Sequence, residues 1–144
     1  MLKAVSGVAL PIVITTLLIL AVTGRLFAAM PVVTVAQLLA VGLAVWARRS
    51  FPHGSFRVVA TPGGGSVLRS GPYRLIRHPM YTGALLLVWS GVLAHLSAWT
   101  GALGAVVTGV VVVRVIVEER LLRERFPDYV EYMRTTKALV PFIA

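Results

Sequence analysis

Glu118 and Glu119 stand side by side in a chain with 5 acidic residues against 14 Lys and Arg. They follow Arg114 in the pattern Arg-x-x-x-Glu-Glu, which sets Arg114 and Glu118 on one helix face. Arg114 lies inside an apolar run, where its stem could lie along lipid while its head reaches the interface. The two glutamates are harder to explain by anchoring. Negative charge at a helix C-terminus opposes the helix dipole, and a cytoplasmic leaflet is itself usually anionic. The pair calls for a cation: Arg74, Arg77 or a positively charged ligand.

A second cluster lies upstream, in Ser70-Gly71-Pro72-Tyr73-Arg74-Leu75-Ile76-Arg77-His78-Pro79-Met80-Tyr81-Thr82-Gly83. Anchoring accounts for part of it: Arg77 as a basic flank, Pro79 in a first helical turn, Tyr81 as an interfacial aromatic. Anchoring does not ask for His78, or for Tyr73 and Arg74 after a Gly-Pro turn. Nor does it ask for Gly83, which lets a ligand or another helix approach the backbone closely.

These clusters need elements that bring them together. The chain has 144 residues, of which 58% are hydrophobic and 13% charged. A soluble domain is closer to half apolar and about a quarter charged, so lipid must cover much of this surface. With no cysteine, disulfides, thiol nucleophiles and thiolate metal sites are excluded, and no metal site is expected. Apolar runs cover 5–23, 31–47, 79–99 and 101–117, with Arg114 the one Lys or Arg inside them. Each approaches the roughly 20 residues that a membrane-crossing helix needs. The first run, behind Lys3, could instead be a cleaved leader.

Apart from Arg25, every Lys and Arg lies near the N-terminus, between Arg48 and Arg77, or from Arg114 onward. The positive-inside rule then sets both termini and the central loop in the cytoplasm. It also explains the net charge of +9 without nucleic acid. The central loop contains Phe56-Arg57-Val58-Val59, a short extended patch, and Thr61-Pro62-Gly63-Gly64-Gly65-Ser66, a linker. The glycine run lacks the Gly-Lys-Ser/Thr ending of a phosphate-binding loop. After the last span, apolar and charged residues alternate through Met133, predicting an amphipathic helix at the interface, broken near Pro127. The expected fold is an all-α integral membrane protein of about four transmembrane helices with a cytoplasmic loop and an amphipathic helical tail. It forms one membrane domain over 1–144, with an N-terminal helix pair over 1–49.

Gly71-Pro72-Tyr73-Arg74 followed by Arg77-His78-Pro79-x-Tyr81-x-Gly83 resembles the signature of the isoprenylcysteine carboxyl methyltransferase family. So does Arg114-x-x-x-Glu118-Glu119 with Leu122, Phe126, Tyr129, Tyr132 and the closing Val140-Pro141-Phe142-Ile143. Related membrane phospholipid methyltransferases look similar. Any one motif is weak; their order and spacing together are fairly specific, and they span about residues 68–143. The resemblance implies methyl transfer from S-adenosylmethionine, with a methyltransferase core over 68–143 and a lipophilic acceptor entering from the bilayer. It implies Tyr73, Arg77, His78, Tyr81, Gly83, Glu118 and Glu119 at the cofactor, and Arg114 at an acceptor carboxylate such as a prenylcysteine-like group. Arg114 and Glu118 are thus the expected catalytic residues, and Phe142 would flank the adenine.

The residues suit that chemistry. A carboxylate pairs with the cofactor's amine or its ribose hydroxyls, and Arg77 or His78 with its carboxylate. An arginine orients an acceptor carboxylate by a two-pronged contact. An ionised carboxylate needs no general base; an amine or hydroxyl acceptor would, with His53 or His78 as the candidate. The expected location is a bacterial inner membrane. Gly101-x-x-Gly104 permits close helix packing but leaves the oligomeric state open. Two alternatives stand beside this: a membrane reductase using NADPH on a similar scaffold, and a non-catalytic scaffold or lipid-binding protein.

Overall fold

The computed structural model describes residues 2–51 and 67–140, with side chains from residue 7 onward. The patch over 56–59, the glycine-rich linker, His53 and Phe142 therefore lie outside the described residues. Among the described residues the chain is all helical: α1 (Leu2–Val22), α2 (Pro31–Arg49), α3 (Pro79–Ala94), α4 (Ala98–Arg125) and α5 (Tyr129–Thr135). A single 3-10 turn, Gly71–Arg74, precedes α3. α2 and α4 are long and apolar enough to cross a membrane, and Gly7–Val22 and Pro79–Ala94 are shorter apolar helices.

The sequence dictates most of the ends. α1 carries Pro11 internally and stops at Gly24, whose φ of 67° suits only a residue without a side chain. The amides of Arg25 and Leu26 then both return to the Leu20 carbonyl, closing the helix end. Pro31 opens α2 at its first turn, after extended Met30. In this loop Gln37 donates to the Leu26 carbonyl at 2.6 Å. That bond satisfies a backbone acceptor where lipid offers no donor.

The turn between α3 and α4 comes earlier than the apolar runs suggest. The third run was expected to extend to residue 99, but α3 ends at Ala94. Ser97 caps α4: its hydroxyl accepts from the Thr100 amide, and the Thr100 side chain accepts from the Ser97 amide. Residues 98 and 99 thus belong to the next helix. At the other end α4 does not stop near residue 117 but continues to Arg125. At about 1.5 Å per residue, its length exceeds the ~30 Å hydrocarbon core by roughly two turns. Glu118 and Glu119 accordingly lie inside the helix, while Arg123 and Arg125 occupy its last turn. The dipole conflict inferred from the sequence is thereby removed, because that effect fades within about one turn of the end.

Val107, Val111 and Val115, four residues apart on α4, pack with Val88 and Val92 of α3 and Val13 and Leu20 of α1. Trp89 fills the notch left by Gly104, and its indole donates to Thr108 at 3.0 Å. α3 also packs closely along α2: a side chain at Gly83 would lie 2.8 Å from the Ala40 carbonyl. These contacts hold the start of α3 beside the end of α4.

Candidate active site

Tyr81 joins the two sequence clusters. Its hydroxyl donates to Glu118 Oε2 at 2.7 Å and accepts from Arg114 Nε. The Arg114 guanidinium lies 5.5 Å from the Tyr81 ring centre, and the His78 ring stacks on Tyr81 at 5.5 Å. Arg114 and His78 are both buried, at 7% and 5% exposure. The helical spacing that puts Arg114 and Glu118 on one face thus makes them two arms of one bridge, with Tyr81 across the gap.

One turn along, Arg77 Nε donates to Glu119 Oε1 at 2.7 Å, and His78 Nε2 lies 3.3 Å from the same oxygen. Arg77 therefore supplies the cation for Glu119. Arg74 is exposed and has no ion-pair partner among the described residues. Arg77 has a second task, since its Nη1 donates to the Met133 and Thr136 carbonyls. Backbone bonds reinforce this: the amides of Arg77 and His78 donate to Lys137 and Ala138 at 2.7 and 3.0 Å. Thr82 reaches the Leu139 carbonyl at 2.6 Å. The segment from Met133 to Leu139 is thus fastened across the mouth of α3.

The tail is helical and two-faced, and its apolar face packs on the protein. Chain direction does change around Pro127, but α5 turns Tyr129 and Tyr132 inward, where they pack with Phe126. Tyr132 donates to the Tyr73 carbonyl, which fixes the loop before α3. The Tyr73 ring meets Phe51 edge-on at 5.5 Å. Among the described residues the Tyr129 hydroxyl has no hydrogen-bond partner, although the residue is only 1% exposed. A buried hydroxyl left unpaired is costly, so this atom is a natural place for a ligand contact. The sequence placed Tyr129 only on the tail's apolar face; its one signal was the three-residue spacing to Tyr132.

Burial dominates the titration of these tail and loop phenols. It pushes Tyr132 up to about 12, with Arg77 and Arg69 opposing. Burial pushes Tyr73 up as well, the charge of Glu118 adding to it. Tyr129 rises by burial and then by the charge of Glu119. All three stay protonated at neutral pH and act as hydrogen-bonding groups.

The structure thus brings together Tyr81, Arg114 and Glu118, and beside them Arg77, His78 and Glu119. Tyr73 adjoins through Tyr132. Gly83 faces α2, its missing side chain replaced by the Ala40 backbone. Phe142 lies outside the described residues. In chemical terms the mouth holds two guanidiniums, two carboxylates, an imidazole and phenols.

A family described as phospholipid methyltransferase matches residues 25–129 of this chain. The cobalt-zinc-cadmium resistance protein CzcN of Cupriavidus metallidurans is 34% identical over 77 residues. That match covers 53% of this chain and 36% of the length of CzcN. No solved structure matches the chain.

Proposed function

The chain belongs to the phospholipid methyltransferase family, and from that premise we propose that it transfers a methyl group from S-adenosylmethionine to a lipophilic acceptor at the cytoplasmic face of a membrane. The observation that carries this reading is the Tyr81 hydroxyl held between Arg114 and Glu118. It sets a guanidinium and a carboxylate at fixed places within one bundle mouth, as a reaction between an anionic acceptor and a cationic donor requires.

The residues fit that cofactor. Glu118 uses one oxygen for Tyr81, and its other oxygen has no hydrogen-bond partner among the described residues. That oxygen would take the cofactor's ammonium or a ribose hydroxyl. The unpaired Tyr129 hydroxyl offers a further contact, and His78 and Arg77 would lie toward the carboxylate. S-adenosylmethionine supplies an electrophilic methyl on a sulfonium sulfur, which leaves as a neutral thioether. Arg114 would orient the acceptor carboxylate by a two-pronged contact, while Tyr81 keeps the guanidinium from rotating. Because an ionised carboxylate attacks directly, the protein's work is alignment and exclusion of water. The valine-lined bundle below and the fastened segment from Met133 to Leu139 above serve the second purpose.

Membranes containing the protein, incubated with S-adenosylmethionine labelled in the methyl group, test this directly. The expected result is label in the lipid extract, released as volatile methanol by alkali if the acceptor is a carboxylate. Alkali-stable label would move the acceptor to an amine and bring in a general base. No lipid label, together with no binding of S-adenosylhomocysteine by calorimetry, would reject the proposal, and heat with NADPH instead would favour a reductase.

A further inference from the structure

Among the described residues α1 packs mainly on α4 and α3, and α2 packs mainly on α3. Between α1 and α2 opens a cleft of about 480 Å³, within the roughly 300–1,000 Å³ of small-molecule sites. Leu17 forms one wall, Val41, Ala44 and Val45 the other, and Gly83 and Leu87 of α3 the floor. Gly83 and the alanines opposite it let α3 lie close against α2, so α3 closes the bottom of the cleft. This is a different face of α3 from the candidate active site: Gly83 and Leu87 repeat at helical spacing along the cleft, whereas Tyr81 and Val88 pack into the core.

The walls are hydrocarbon, but Arg48 and Arg49 line one end. Both are exposed, and none of the ion pairs among the described residues involves Arg49. Basic residues at a span's end are ordinary anchors. What anchoring does not explain is an open apolar slot directly beneath them, running from Arg49 to Ala40, about 14 Å along the helix axis. A hydrocarbon slot capped by guanidiniums is complementary to one kind of molecule: a chain with an anionic head. Guanidiniums suit phosphate in particular, because two N–H groups match two oxygens.

We propose that this cleft is a binding site for an anionic bilayer phospholipid, with one acyl chain between α1 and α2 and the phosphate at Arg48 and Arg49. The site is separate from the methyl-transfer reading and needs no cofactor, so either can fail without the other. Expected charge placement puts it in the cytoplasmic leaflet.

The protein is reconstituted in vesicles that carry phosphatidylglycerol or phosphatidylcholine with a photoactivatable diazirine in the acyl chain. Adducts are then mapped by mass spectrometry. Adducts should concentrate on cleft residues of α2 and α3 and favour phosphatidylglycerol. Each arginine should contribute roughly fivefold to that preference, so the double variant R48Q/R49Q should reduce it by about twenty-five-fold. Val41→Trp, which fills the slot from an exposed position, should abolish cleft adducts with either probe. Thermal unfolding in detergent checks that both variants stay folded. Labelling spread evenly over the lipid-facing helices, equal labelling by the two lipids, or full cleft labelling in Val41→Trp would each overturn the proposal. So would cross-links between copies that occupy the cleft in place of lipid.

Discussion

The Tyr81 hydroxyl accepts from Arg114 and donates to Glu118, and both bonds involve a charged partner. Such bonds are each worth about 1.5–3 kcal/mol. If the bridge aligns the acceptor-binding arginine, its loss appears in turnover. Tyr81→Phe should therefore cut the methyl-transfer rate by roughly 10–100-fold while the protein still unfolds cooperatively in detergent. An unchanged rate would remove Tyr81 from the machinery. Arg114→Ala and His78→Ala should abolish turnover without unfolding the protein, and Arg114→Lys should recover little, since an ammonium lacks the planar fork. Wild-type turnover in the two alanine variants would sink the assignment. Tyr129 gives a sharper test, because fold and function should move apart. Its buried hydroxyl has no partner among the described residues, so Tyr129→Phe should leave stability unchanged or raise it by about 1 kcal/mol. The same change should weaken S-adenosylhomocysteine binding by roughly tenfold, a 1.4 kcal/mol loss, measured by calorimetry. A loss of stability with unchanged binding would make Tyr129 structural only.

At the scale of elements, the α3–α4 hairpin creates the site by folding its two sequence ends to one mouth, and the tail locks that mouth. Arg77 is the pin, bonded to Glu119 and to the Met133 and Thr136 carbonyls. Removing one partner of a buried ion pair costs about 3–5 kcal/mol. Arg77→Ala should therefore free the tail first. Hydrogen exchange over residues 129–138 should rise sharply while the α3–α4 hairpin stays protected. Uniform exchange would mean that the tail is held by other contacts. The packed phenols make an alkaline prediction. Tyr73, Tyr129 and Tyr132 ionise above their ordinary value of about 10 in the folded chain. The folded state therefore holds their protons more tightly than the unfolded state. Stability is full below pH ~10 and falls as pH rises toward 12. A phenolate absorbance titration that rises near pH 10 in the folded protein would contradict this packing. Much of this organisation was readable in the sequence. Apolar run length and charge placement indicated the helices, and the spacing from Arg114 to Glu118 indicated a shared face. The helix ends were not readable, because a run of apolar residues does not distinguish a helix from its turn. Ser97 ends one helix by capping the next, and α4 runs on through charged residues because nothing before Pro127 breaks it. The inward turn of Tyr129 and Tyr132 depends on contacts with the distant loop at Tyr73, which no local pattern reveals.

On the whole-molecule scale, one asymmetry of charge supports the proposed cytoplasmic face for the site. The turn between α3 and α4 holds His95, Leu96 and Ser97 and no Lys or Arg, while the opposite end holds Arg77, Arg120, Arg123 and Arg125. Moving that basic end across a bilayer would take several guanidiniums through hydrocarbon, each costing about 2.5–3.5 kcal/mol at the centre of a span. The uncharged turn meets no such barrier. A methyl donor made in the cytoplasm would then reach the mouth directly, whereas an acceptor with a long apolar chain would enter from the bilayer beside it. Because the chain has no cysteine, the orientation can be read with single introduced thiols. Leu96 is exposed at the turn, at 68%, and Arg123 lies in the last turn of α4. In intact cells a membrane-impermeant maleimide should label Leu96→Cys and spare Arg123→Cys until the membrane is opened. The reverse pattern would place the mouth outside, away from any cytoplasmic methyl donor. Methyl transfer at the cytoplasmic face would then be ruled out, whatever the geometry around Tyr81.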